Sequence, residues 1–112
     1  DQLKILNKSP LFQLGIHTVN HPDLCRMDEN IQLHEILSCK STLEQVTKKQ
    51  VNIFAAPYGS YNNTTTTILN KLGITHAFNT TSGYLTKNTL FKNQLCIPRI
   101  QVTSNTNLKK LV

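Results

Sequence analysis

Residues 51–62 read Val51-Asn52-Ile53-Phe54-Ala55-Ala56-Pro57-Tyr58-Gly59-Ser60-Tyr61-Asn62, and the fold follows from them. A short apolar run bounded by turn residues is a buried strand, and Pro57-Tyr58-Gly59 ends it. Asn62 or Asn63 then caps a helix carrying Ile68, Leu69 and Leu72, with Gly73 as its C-terminal stop. The four threonines Thr64–Thr67 weaken that helix by propensity alone.

The same alternation continues on both sides. Upstream, Leu11-Phe12-Gln13-Leu14-Gly15-Ile16 reads as another buried strand, running into the loop His17-Thr18-Val19-Asn20-His21-Pro22. Asp28 caps a helix expected over about 29–48, with Leu33, Ile36, Leu37, Leu43 and Val46 on one face. Residues 2–7 resemble a helix end closed by Lys8-Ser9-Pro10. Downstream come a strand over about 74–80, a polar loop 81–95, a strand 96–102 and a short helix near 105–111. Strands alternating with helices give an α/β fold of parallel strands with outer helices. In such folds chemistry lies where strands end. The histidine loop and the Pro57 turn each follow a strand, so both land on one rim.

Composition narrows the class. A chain of 112 residues is expected to form one domain. No apolar run approaches the roughly 20 residues of a bilayer span. Three cysteines, at 25, 39 and 96, cannot all pair, and no C-x-x-C occurs, so neither a disulfide scaffold nor a zinc ribbon is expected. Cys39 and Cys96 read as buried apolar residues. Twelve basic against six acidic side chains give a net charge of +6, spread thinly as the pairs Lys48–Lys49 and Lys109–Lys110 plus single residues. That surplus suits a solvated surface or an anionic polymer. No basic helix face or aromatic–basic interleaving points to nucleic acid. No leader segment is legible, although a chain beginning at Asp1 is uninformative about location.

Chemistry concentrates in two places. His17 and His21 are four residues apart, a spacing that lets two imidazoles face one ion; zinc or cobalt suits them, at about 2.0–2.1 Å per nitrogen. The plainer alternative is that each packs or caps its loop. A third ligand is needed, and Asp23 is the nearest carboxylate. His34 and His76 are better read as a solvated helix residue and a sheet residue. Pro57-Tyr58-Gly59 is either a simple strand-to-helix turn or one that offers backbone N–H groups to an anion.

On these residues the chain resembles the polysaccharide deacetylases, the carbohydrate esterases that share the NodB homology domain. His17-Thr18-Val19-Asn20-His21-Pro22-Asp23-Leu24 is similar to the family's H-[ST]-x-x-H-P-x-L segment, and Gly15-Ile16 to its lead-in. Phe54-Ala55-Ala56-Pro57-Tyr58-Gly59-Ser60-Tyr61 is similar to its F-[RA]-x-P-Y-G-x-Y turn. Cys96-Ile97-Pro98-Arg99-Ile100-Gln101-Val102 resembles the closing L-P-R-I-x-V strand of the poly-N-acetylglucosamine branch.

The resemblance implies a partial irregular (β/α) barrel and a divalent metal, usually zinc, with cobalt, nickel or manganese as alternatives. It implies removal of N-acetyl or O-acetyl groups from an extracytoplasmic polysaccharide, most simply an N-acetylglucosamine polymer. His17 and His21 match the metal ligands, and Tyr58 the backbone N–H of the oxyanion site. Pro57 and Gly59 shape that turn, and Arg99 lies on the rim beside the substrate. The family's T-F-D-D motif, source of the third ligand and the base, has no counterpart among these residues. Residues 1–112 are therefore expected to be the C-terminal portion of a domain of about 200 residues. Ala55 stands where many members carry arginine, and the later catalytic histidine of other branches has no clear match. A non-catalytic remnant or glycan-binding module is the alternative. Sheet edges left open would permit self-association.

Overall fold

A parallel pairing organises the chain. In the computed structural model, which describes residues 2–88 and 94–110, β1 (Ile53–Ala55) runs beside β2 (His76–Phe78). Ile53 lies opposite His76, Phe54 opposite Ala77, and Ala55 opposite Phe78. Two single parallel bridges extend the pair outward, Ile16 to Phe54 on one side and Ile97 to Phe78 on the other. Four segments thus lie in sequence order with a common direction, as the alternating pattern requires, and the α/β expectation with parallel strands is met.

The outer segments are shorter than their apolar runs suggest. Leu11 is 87% and Phe12 57% exposed. Ser9–Phe12 folds into a turn, with the Phe12 N–H reaching the Ser9 carbonyl and the Leu11 N–H the Ser9 hydroxyl. Only Ile16, donating to Ile53 O at 2.8 Å and accepting from Ala55 N at 3.0 Å, joins the sheet. At the other edge pairing stops at Ile97, because the next backbone contact, Arg99 N–H to Thr81 O at 3.0 Å, is out of the Ile97–Phe78 register. The expected helix near 105–111 is a single turn, Leu108–Lys110, preceded by a Thr103–Thr106 turn; Leu111 and residues 89–93 of the polar loop lie outside the described residues.

Helices accompany the strands. α1 spans Gln2–Lys8, α2 Glu29–Thr47 and α3 Asn63–Lys71. Asp28 caps α2 by accepting from Ile31 N at 2.9 Å. Asn62 caps α3 reciprocally with Thr65, each side chain accepting the other's backbone N–H at 3.1 Å. The threonine run is helical because its hydroxyls have partners. Thr65 donates to Gln32 Oε1 at 2.6 Å in the interior, and Thr66 and Thr67 donate to Asn63 O. Gly73, at φ 71°, supplies the expected stop.

The core gathers Ile16, Leu24, Ile36, Phe54, Ile68, Leu69 and Ala77 with their neighbours. α2 turns Ile36 and Leu43 to the core as expected, but not Leu33 and Leu37. Gln32, Glu35, Ile36 and Thr47 are buried, whereas Leu33 and Leu37 are 36% and 41% exposed. The helix turns its polar residues inward because Met27, Thr65 and the loop after Ile16 offer partners for them. Ile36→Ala should therefore cost about 2–5 kcal/mol, while Leu37→Ala should stay within about 0.5 kcal/mol of wild type; denaturant unfolding of both variants measures the contrast.

Candidate functional site

Because the strands are parallel, the segments after Ile16, β1 and β2 leave the sheet at the same edge. The segment after Ile16 brings His17 and His21 together, with ring centroids 4.9 Å apart at an interplanar angle of 68°. The His21 ring in turn meets the Tyr58 ring edge-on at 4.7 Å. Both histidines thus stand beside the Pro57 corner. Two imidazoles bound to one tetrahedral ion at about 2.0–2.1 Å per nitrogen would have centroids about 5 Å apart, so the observed spacing fits a shared cation.

His17 is also oriented for that role. Its Nδ1 lies 2.7 Å from Ala55 O. A carbonyl oxygen only accepts, so Nδ1 carries the hydrogen and the Nε2 lone pair is left for a ligand. The bond also ties the histidine loop to the end of β1.

The histidine loop and the Pro57 turn are held in a costly shape. Thr18, His21 and Tyr58 all have positive φ, at 65°, 56° and 57°, and none is glycine. Such residues cost about 1–3 kcal/mol each and persist where their surroundings enforce them. Glu35, buried on α2, does much of the enforcing. Its Oε2 accepts from the Val19 and Asn20 N–H groups at 2.9 and 2.8 Å, and its Oε1 from Asn20 Nδ2 at 2.6 Å. Burial pushes the Glu35 carboxyl up, but these donors, with His34 nearby, outweigh burial and hold it below its ordinary 4.5. Thr18 adds a bond from the His21 N–H to its hydroxyl at 3.1 Å.

Asp23 has a different task from the one its position in sequence suggests. Its carboxylate caps the turn Leu24–Arg26 through the Cys25 N–H, takes the Ser60 hydroxyl at 2.5 Å and lies 3.5 Å from Arg26. It fastens the histidine loop to the turn Pro57–Gly59. Among the described residues no group of three His, Cys, Asp or Glu side chains could hold a metal. The histidine pair fits a metal centre as two ligands of a larger set.

The turn after β1 exposes one free amide. Gly59 N–H closes on Ala56 O and Ser60 N–H on Pro57 O, while no described residue accepts the Tyr58 N–H. Tyr58 itself is 69% exposed. Gly59 is fixed by two demands: φ is +67°, and an added Cβ would come within 2.2 Å of Thr80 Oγ1. Thr80 also lines a cavity with Arg99, Ile100 and Gln101, which places Arg99 across Thr80 from the turn. Arg99 Nε donates to Asn79 O at 2.8 Å.

The remaining candidates lie elsewhere. His34 is exposed beside Ser38, and His76 is in β2 beside Thr75. All three cysteines are free; Cys96 is exposed rather than buried, its sulfur accepting from Asn79 Nδ2. Tyr61 donates to Leu95 O, and burial together with the Cys96 thiol pushes its phenol up to about 12, so it stays protonated at neutral pH.

Comparison with known proteins places these features. The family profile described as polysaccharide deacetylase matches residues 1–77. No curated protein matches the chain. Among solved structures, the Streptococcus pyogenes deacetylase PplD in complex with acetate is 29% identical, with 87% of this chain covering 42% of that one at a TM-score of 0.80. A Bacillus cereus polysaccharide deacetylase is 24% identical (97% and 34% covered, TM-score 0.82). A de-N-acetylase from Aggregatibacter actinomycetemcomitans shares the fold at 16% identity (100% and 52%, TM-score 0.80). The chain spans between about a third and a half of the length of these structures.

Two variants test the architecture of this rim. Gly59→Ala should shift Thr80 or unfold the turn, lowering stability by about 1–3 kcal/mol in thermal or denaturant unfolding. Glu35→Gln should loosen the loop by about 1–3 kcal/mol, read as faster amide exchange at Val19 and Asn20. The depressed Glu35 carboxyl gives stability that is present above about 4.5 and lost as pH falls through its folded value. Protection of those two amides should therefore fall in acid in the wild type and lack that step in the variant.

Proposed function

Since the chain belongs to the polysaccharide deacetylase family, we propose that the protein takes part in metal-assisted removal of acetyl groups from a polysaccharide, with His17 and His21 as two of the metal's ligands. The observation that carries this reading is the grouping of the His17, His21 and Tyr58 rings, with His17 Nδ1 committed to Ala55 O. A divalent ion, zinc most simply and cobalt, nickel or manganese otherwise, acidifies water and polarises the acetyl carbonyl when bound.

The chain's own residues do the rest of this half of the work. His17 and His21 offer imidazole nitrogens, the first oriented by its bond to the Ala55 carbonyl. As water adds to the acetyl carbon, the carbonyl oxygen gains negative charge and accepts from the unpartnered Tyr58 N–H. Pro57 and Gly59 hold that amide on the rim, because the turn's other N–H groups are already bonded inward. Cleavage of the C–N bond, or C–O bond of an ester, gives acetate and the free amine or hydroxyl. The third ligand and the carboxylate that takes the water's proton are assigned to a segment outside residues 1–112, which would make this chain the C-terminal portion of one domain. An N-acetylglucosamine polymer outside the cytoplasm is the substrate and setting this reading favours. Among the described residues, no helix is long and apolar enough to cross a membrane.

Calorimetry with zinc tests the ligand assignment. Wild type should bind weakly, as two ligands allow, and His17→Ala and His21→Ala should each abolish binding; a double variant that binds as well as wild type refutes it. Acetyl release from a chitin oligomer should appear once an Asp-Asp-bearing upstream segment is supplied. Release in neither form would favour a glycan-binding module without turnover.

A further inference from the structure

Charge is divided sharply along this chain. All six acidic side chains lie at or before Glu44, whereas eight of the twelve basic ones follow Gln45. Everything from β1 onward therefore carries positive charge without a single acidic side chain to offset it. Arg99, on the site's rim, belongs to this half.

The geometry around Arg99 makes that charge local. Its Nε is anchored to Asn79 O at 2.8 Å and its backbone N–H to Thr81 O at 3.0 Å. The guanidinium is thus held at one edge, and among the described residues no carboxylate faces it. It borders a cavity of about 320 Å³ with Thr80, Ile100 and Gln101. That volume is at the small end of ligand sites, which run from about 300 to 1,000 Å³. Thr80 and Gln101 add polar residues to the lining, and Ile100 an apolar one. Thr80 also abuts Gly59, so the cavity adjoins the turn that bears the Tyr58 amide. A polymer with its acetyl group at that turn would pass a neighbouring unit over Arg99.

We infer that this cavity is a subsite for an anionic substituent, a carboxylate or phosphate, and that the N-acetylglucosamine-containing polymer favoured above is one that carries such substituents rather than a neutral one. The inference rests on the deacetylase reading for its polymer. A planar guanidinium fixed by one nitrogen presents its remaining N–H donors as a fork suited to either anion. The acid-free second half would draw such a chain toward the rim by long-range attraction.

Binding measurements on the full chain, without metal, test the inference. The probes are an oligogalacturonate, an oligo(glycerol phosphate) and neutral chitotetraose, titrated by calorimetry and by the Thr80 and Gln101 amide shifts. Both anionic probes should shift those amides and bind more tightly than chitotetraose, with affinity falling as salt rises; the stronger of the two identifies the anion. Arg99→Gln should weaken anionic binding at least about threefold, in line with a partly exposed ion pair, and Arg99→Lys should restore only part of it. Lys49→Gln with Lys71→Gln removes two charges that precede β1 and β2, at the opposite edge of the sheet, and should have less effect. Equal binding by Arg99→Gln and wild type overturns the subsite. So does an equal loss in the lysine double variant, which would mean diffuse attraction, or tighter binding of single-stranded DNA of matched charge. Because no metal enters these titrations, their result is independent of the His17 and His21 comparison.

Discussion

Everything at the rim depends on parallel pairing across Phe54. Antiparallel neighbours would send successive loops to opposite edges, but here Ile16, β1, β2 and Ile97 share one direction. The segments that leave them therefore meet. Phe54, fully buried between Ile16 and Ala77, is where the pairing and the core coincide. The Ala55 carbonyl then reaches sideways to His17 instead of into the sheet, so backbone pairing passes directly into side-chain orientation.

Order at the rim comes from carboxylates that face inward. Glu35 satisfies two backbone amides of the histidine loop and Asp23 joins that loop to Ser60. Both compensate a backbone held at positive φ in three non-glycine residues. The arrangement commits these acids to holding the histidine loop and the Pro57 turn together. Asp23 illustrates this, being nearest the histidines in sequence but engaged elsewhere.

What could be read from the sequence was whatever is decided locally. The strand at 51–56, the caps Asp28 and Asn62, the stop at Gly73 and the two rim motifs depend on neighbours within a few residues. Leu37 and Glu35 show the limit. Apolar periodicity assigns the leucine to the core and says nothing of the glutamate, which amides of a loop 15 and 16 residues away take inside. Leu11 and Phe12 were apolar enough for a strand, yet Ser9 had already turned the chain. Thr80 carries no motif at all. Its importance appears only when Gly59 is seen to leave it the space of a missing Cβ.

That shared space has an evolutionary corollary. Thr80 forms a wall common to the Tyr58 corner and the Arg99 cavity, so a larger residue there would press on one while reshaping the other. Drift in what the cavity accepts is then coupled to drift in the corner, and new preferences would have to arise in pairs of changes or from Ile100 and Gln101. Innovation in this protein is channelled toward the segment that follows Ile97, where a side chain can vary without disturbing the bend beside it.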